Sequence, residues 1–78
     1  MKYILFQIVG MRDQIYGEVL SKENTYFTVR IKKTHTNLML MLPYTKIDGE
    51  YIEIDIYHHE IIKEVSDEEY LTATILES

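Results

Sequence analysis

The sequence predicts an all-β protein: a small, strongly bent, five- or six-stranded antiparallel barrel of the SH3, OB or Sm type, with a short C-terminal α-helix. Three observations lead to this fold. Short segments with apolar side chains at every second position recur along the chain. Polar turns separate these segments at close intervals. The C-terminal segment then changes to a helical pattern that begins with a capping sequence. The 78 residues leave room for a single domain, over 1–78.

The strands are predicted one after another along the chain. They are Lys2 to Val9, Gln14 to Leu20, Tyr26 to Lys33, Leu38 to Leu42, Tyr51 to Tyr57 and Ile61 to Val65. Turns are predicted at 10–13, 21–24 and 34–37, and a loop at 43–50 contains the turn pair Asp48-Gly49. In the third strand, Phe27, Val29 and Ile31 are expected to face the core, because apolar and polar residues alternate cleanly there.

A helix is predicted over about 67–77. Ser66 is expected to cap it, and Glu69 completes the capping-box pattern three residues later. The spacing places four residues on one helical face: Tyr70, Leu71, Thr74 and Ile75.

Composition limits the class of protein. There is no cysteine, which excludes disulfides and thiolate metal sites. The hydrophobic content of 46% is high for so small a core. It indicates either apolar surface buried between subunits or simply the Ile- and Tyr-rich composition of β proteins. No segment approaches the roughly 20 apolar residues of a membrane helix, and Gln7 interrupts the apolar start. We therefore expect a cytoplasmic protein with no membrane association.

Charge is distributed unevenly along the chain. Residues 1–47 carry seven bases and three acids (+4), whereas residues 48–78 carry one base and ten acids (−9). The overall charge of −5 argues against generic nucleic-acid binding, which depends on neutralising phosphates. If the fold keeps the two halves apart, one surface can still attract an anion.

Catalytic and metal-binding patterns are weak. The sequence contains no nucleophile elbow and no Gly-rich phosphate loop, so we expect neither an enzyme nor a cofactor. His58-His59-Glu60 is the one cluster with metal-ligating side chains, but adjacent residues of a strand point to opposite faces. A polar turn between two strands, or a contact between subunits, is the better interpretation, and no metal site is predicted.

Two segments are candidates for binding. Arg30 and Lys32 share a strand face with Tyr26 and Thr28, so a base could stack on the tyrosine while the cations meet phosphate. The alternative is an ordinary solvated strand face. The segment Leu38-Met39-Leu40-Met41-Leu42 is either a partner interface, since methionine adapts to irregular contacts, or a central core strand.

Two motifs resemble those of Sm-like proteins. Gly17-x-Val19, followed by Asn24-x-Tyr26-Phe27-Thr28-Val29-x-Ile31, resembles the first Sm motif. His58 to Val65 occupies the frame of the second motif, with Ile62 and Val65 in register, but His58-His59 replaces the family's Arg-Gly pair. The terminal helix also lies at the opposite end of the chain from the family's usual one. The layout is similar to that of small Sm-like proteins of phages, including cyanophages.

This resemblance implies a homo-oligomeric, non-catalytic ring that binds single-stranded RNA or modulates a nucleic-acid process, in the cytoplasm of a bacterial or phage-infected cell. The implied RNA-binding residues are Asn24, Tyr26 and Thr28, with His58 at the arginine position; the basic strand face adds Arg30 and Lys32. The hypothetical oligomer interface comprises Leu38, Met39, Leu40, Met41, Ile61 and Ile62. The competing hypothesis is an acidic protein-interaction module that binds a host protein and no RNA.

Overall fold

The computed structural model describes residues 2–32 and 46–76, which form six strands and a helix. The strands are β1 (Tyr3–Phe6), β2 (Ile15–Lys22), β3 (Tyr26–Lys32), β4 (Lys46–Asp48), β5 (Tyr51–Tyr57) and β6 (Ile61–Val65). A 3-10 turn, His58–Glu60, connects β5 to β6, and helix α1 spans Asp67–Leu76. These strands form one antiparallel sheet in the order β4-β5-β3-β2-β1-β6. The predicted β fold with one short C-terminal helix is confirmed, and it is consistent with a small Sm- or SH3-like barrel.

Several predicted boundaries agree with the structure. β5 and β6 have the predicted bounds. β3 agrees with the prediction from Tyr26 to Lys32, and its predicted last residue, Lys33, lies outside the described residues. Gly49 has a positive φ of 60°, which glycine adopts readily, so the Asp48-Gly49 turn forms a tight hairpin between β4 and β5. The predicted turn at 34–37 and the predicted strand Leu38 to Leu42 lie outside the described residues, together with the interface candidates Leu38, Met39, Leu40 and Met41.

Three boundary predictions were wrong. β1 ends at Phe6 rather than Val9, because the chain turns at Gln7: the Met11 N–H donates to the Ile8 carbonyl at 2.9 Å, and the Gln7 side-chain amide donates to the Met11 carbonyl at 2.8 Å. β2 continues to Lys22 through a register shift between Val19 and Ser21. A short strand, β4, also lies within the predicted loop 43–50, directly before the turn at Gly49.

One face of the sheet forms the core. Its buried cluster contains Ile4, Phe6, Ile15, Phe27, Val29, Ile31, Ile52, Ile54 and Ile56. Cross-strand pairing explains the cluster, since Phe27 lies opposite Ile56, Val29 opposite Ile54 and Ile31 opposite Ile52. The predicted inward face of β3 is therefore confirmed.

Gly17 lies where core side chains approach the backbone of β2 closely. A Cβ atom at this position would lie 3.0 Å from the ring of Phe6 and 3.5 Å from Cβ of Val29. Two register irregularities, between Val19 and Ser21 and between Leu5 and Phe6, bend the strands around this point. In the strand order, β4 and β6 are the two edges of the described sheet.

Helix α1 packs against the outer side of β1 and β2. Its cap is as predicted, because the Ser66 hydroxyl accepts a hydrogen bond from the Glu69 N–H at 3.0 Å. The ring of Tyr70 stacks on that of Tyr3, with centroids 4.0 Å apart. Burial, followed by the nearby Glu18 carboxylate, raises the pKa of Tyr70.

The predicted apolar face of α1 was wrong in two of its four members. Tyr70 and Thr74 turn towards the sheet, whereas the side chains of Leu71 and Ile75 are 52% and 68% exposed. The Thr74 hydroxyl donates to the Tyr70 carbonyl at 3.0 Å, which satisfies it in its buried position. In the described part of the chain, no helix has the length and apolar character that crossing a membrane requires.

Candidate nucleic-acid interface

The outer face of β3 carries the four candidate residues that the alternation predicts there. Tyr26, Thr28, Arg30 and Lys32 are all half-buried, and all lie on the face opposite the core. β5 contributes the neighbouring side chains, in the order Tyr57, Asp55, Glu53 and Tyr51. The two predicted cations therefore lie beside two carboxylates, and the surface has mixed charge.

Arg30 is held by residues of its own chain. Its guanidinium forms an ion pair with Glu18, in which Nε donates to the Glu18 carboxylate at 3.0 Å and a terminal nitrogen donates to the same oxygen. The guanidinium carbon also lies 4.5 Å from the ring centroid of Tyr51. The hydrogen bond with Glu18 raises the pKa of Arg30, while burial acts in the opposite direction. Any phosphate would have to compete with Glu18 for this cation.

Thr28 and Asn24 have different surroundings. The Thr28 hydroxyl donates to the Asp55 carboxylate at 2.8 Å, so it would have to leave that bond before donating to a base. Asn24 is exposed in the turn between β2 and β3. This turn is closed by the Glu23 N–H, which donates to the Tyr26 carbonyl at 2.9 Å. Asn24 and Tyr26 consequently lie at the same end of the sheet.

His58 lies apart from the other predicted RNA-binding residues. Its ring meets the ring of Phe27 edge-on, with centroids 4.5 Å apart, and Phe27 points to the core face of β3. The Nζ atom of Lys22 lies 5.7 Å from the centroid of the same phenylalanine ring. His58 therefore borders the core, whereas Tyr26 and Thr28 occupy the opposite face.

Tyr57 and His59 form a surface that the sequence reasoning missed. Their rings stack nearly parallel, with centroids 5.6 Å apart and planes 7° apart, and both side chains are exposed. Tyr57 lies directly opposite Tyr26 in the β3–β5 pairing. Side chains in such positions have Cβ atoms only about 4.5–5.5 Å apart. We call Tyr26, Tyr57 and His59 the aromatic platform.

The sequence contained only part of the signal for this platform. Alternation through β5 places Tyr57 on the outer face with Asp55, so its exposure was predictable. The orientation of His59 was not, because it depends on the 3-10 turn that rotates the chain after Tyr57.

The fold interleaves the two halves of the charge distribution. The acidic strand β5 lies beside the basic strand β3, and β6 lies on the other side of β1. Opposite charges accordingly meet across strands, as Arg30 does with Glu53 in the register. In the described residues the fold therefore does not keep the basic and the acidic half of the chain apart, which was the condition for a surface that attracts anions.

The remaining candidates concern the edge of the sheet and metal binding. On β6, Ile61 is half-buried against the core, and the side chain of Ile62 is 45% exposed. Within residues 2–32 and 46–76, no group of three or more potential metal ligands comes together. The two adjacent histidines pack on different aromatic rings, Phe27 and Tyr57.

Glu60 was part of the weak metal cluster in the sequence, and in the structure it is a structural anchor. Its side chain is only 8% exposed, and its two carboxylate oxygens accept hydrogen bonds from the N–H groups of Val9 at 2.9 Å and Tyr57 at 2.8 Å.

Comparison of this chain with protein-family models, with curated proteins and with solved structures found no match. The resemblance to Sm-like proteins therefore rests on the motif positions in the sequence.

Proposed function

We propose that this protein is a self-associating, non-catalytic small barrel of the Sm-like type that binds single-stranded RNA on the aromatic platform. The observation that supports this most strongly is the exposed stack of Tyr57 on His59, next to Tyr26. Bases of single-stranded RNA stack on such rings, and each stack contributes about 1–3 kcal/mol.

Electrostatic attraction is a minor contribution in this proposal. On the outer face of β3, Arg30 is paired with Glu18, and Lys32 is the other cation. Lys22 lies over the ring of Phe27, which points to the core face. Asp55 lies next to Tyr57 along β5 and would repel phosphate. With only one or two phosphates neutralised, the affinity should fall with salt much less steeply than for a basic RNA-binding protein.

Self-association is proposed through the edges of the sheet. Within residues 2–32 and 46–76, β6 pairs only with β1 and β4 only with β5, so these two strands are the edges of the described sheet. An edge strand with one unpaired side readily accepts another strand. Ile62 and Val9, which are 45% and 73% exposed, line the same groove near β6 and would be covered by a second copy. Head-to-tail pairing of the two edges gives a closed ring if the rotation closes.

RNA binding is tested by titrating a fluorescein-labelled, uridine-rich single-stranded oligonucleotide and following its anisotropy. Tyr57→Ala should weaken binding about tenfold or more, as expected from the loss of one stacked base. Tyr57→Phe keeps the ring and should bind like the wild type. Leu71→Ala is the matched control, because Leu71 is 52% exposed and Tyr57 57% exposed, on different surfaces. Equal affinity of the wild type and Tyr57→Ala would exclude the platform.

A second candidate is the acidic protein-interaction module, and one observation favours it. Glu18, Glu53 and Asp55 lie on the same outer face as Arg30 and Lys32, so carboxylates outnumber cations there. A lysine-rich peptide should then bind the wild type more tightly than the Glu53→Gln/Asp55→Asn variant, and RNA should not compete. If the double variant binds the peptide equally well, this candidate fails.

A further inference from the structure

Glu60 joins two segments that are far apart in the sequence. Its Oε2 atom accepts the Val9 N–H from the segment after β1, and its Oε1 atom accepts the Tyr57 N–H at the end of β5. Its backbone carbonyl accepts the Gln7 N–H at 2.9 Å. A carboxylate is rarely buried unless it is well satisfied, and here two N–H donors satisfy it.

We propose that Glu60 is a positioning residue for the aromatic platform, because its carboxylate fixes the turn that orients Tyr57 and His59. This inference rests on the proposed function, since the platform is taken to be the surface that binds RNA. The role is more specific than general stabilisation, because it requires that the geometry of two exposed rings depends on one buried side chain.

The hydrogen bond from Tyr57 closes the turn locally. The Tyr57 N–H and the Glu60 carboxylate are three residues apart, so their bond encloses His58 and His59 in one short loop. With both ends of the loop fixed, the rings of Tyr57 and His59 are kept almost parallel. Charge-assisted hydrogen bonds to a carboxylate are stronger than neutral ones, which suits this role.

The hydrogen bond from Val9 holds the other side of the turn. It brings the segment 7–11 against the turn, and together they form a groove of about 250 Å³. Val9, Met11 and Ile62 line this groove together with His59. Release of Val9 would open the groove and remove a wall beside the His59 ring.

The test uses the full chain with Glu60→Gln, which keeps the side-chain shape but replaces one acceptor oxygen by an amide group that cannot accept. Three quantities are measured: the NMR shifts of the His59 ring protons, the hydrogen exchange of the Val9 and Tyr57 amides, and the affinity for the uridine-rich oligonucleotide. Glu50→Gln, in the exposed β4–β5 turn, is the matched control.

We expect Glu60→Gln to move the His59 ring-proton shifts towards those of an unstacked histidine. At least one of the two amides should exchange about tenfold faster, because the loss of one hydrogen bond shifts the equilibrium between the closed and the open amide by about a factor of ten. RNA affinity should fall about fivefold to tenfold, because the rings of Tyr57 and His59 are no longer held in the stacked geometry. Glu50→Gln should leave all three quantities unchanged. Should Glu60→Gln fold poorly, Glu60→Asp keeps both oxygens but is too short to reach both donors, and the same changes are expected.

A purely structural role for Glu60 predicts something different: lower stability, but wild-type His59 shifts and wild-type RNA affinity in the folded variant. That result would overturn the positioning role. A wild type that binds no RNA, but whose His59 shifts respond to Glu60→Gln, would overturn the proposed function and retain the control of ring geometry by Glu60.

Discussion

Truncation of Ile54 tests whether the described face of the sheet is the core. Ile54 lies in the middle of β5, opposite Val29, and is only 4% exposed. Removing one buried methyl group, Ile54→Val, should lower the free energy of unfolding by about 1 kcal/mol, and Ile54→Ala by about 3 kcal/mol. For a domain of this size, 1 kcal/mol corresponds to a fall in Tm of about 4–8 °C.

The assay is urea unfolding followed by circular dichroism, at one fixed protein concentration because self-association would add to stability. The midpoint should fall while the slope with urea stays constant. Ile75→Val is the control with the same chemical change at a side chain on α1 that is 68% exposed, and it should cost less than half as much. Equal costs at positions 54 and 75 would refute the assignment of the buried face.

Three further predictions concern charge and turn geometry. A double-mutant cycle of Glu18→Gln and Arg30→Met should give a coupling of about 0.5–1 kcal/mol that shrinks in high salt, because both side chains are partly exposed; zero coupling would contradict the pair. Hydrogen bonds from Lys63 and Tyr16 lower the pKa of Glu69 from its ordinary 4.5, so its contribution to stability is present above that pH and is lost as the pH falls. Urea midpoints of Glu69→Gln should therefore decline less on acidification than those of the wild type, and parallel declines would contradict this role. Gly49→Ala should cost about 1–2 kcal/mol because φ is positive at this turn, and an unchanged midpoint would exclude that backbone conformation.

The sequence predicted β5 well because its alternation is strict and turn-forming residues bound it. β6 was also predicted at its observed bounds, although its residues do not alternate. The prediction failed at the end of β1, where apolar residues continue to Val9 but the hydrogen bonds of Gln7 and Met11 turn the chain. Side-chain hydrogen bonds of this kind leave no periodic signal.

The prediction of the apolar face of α1 failed for a related reason. The position of α1 is set by polar and aromatic contacts: the Tyr16 hydroxyl donates to the Glu69 carboxylate at 3.0 Å, and the Lys63 Nζ atom lies 3.2 Å from it. Together with the stack of Tyr70 on Tyr3, these contacts turn the helix so that Leu71 faces solvent. Apolar spacing alone could not indicate that orientation.

The candidate site was predictable as a strand face but not as a set of contacts. Alternation placed Tyr26 and Arg30 together, as the structure has them. That Arg30 pairs with Glu18 depends on the β2–β3 register, which shifts at a bulge. That His59 stacks on Tyr57 depends on a 3-10 turn, whereas the motif comparison pointed to the adjacent His58.

The most direct test of the account is an NMR titration of the isotope-labelled protein with the uridine-rich oligonucleotide, with shifts followed residue by residue. The account predicts that the largest changes occur at Tyr26, Tyr57 and the His59 ring, and that α1 is hardly affected. An absence of shifts at millimolar RNA, or shifts confined to α1 and β6, would contradict binding on the aromatic platform.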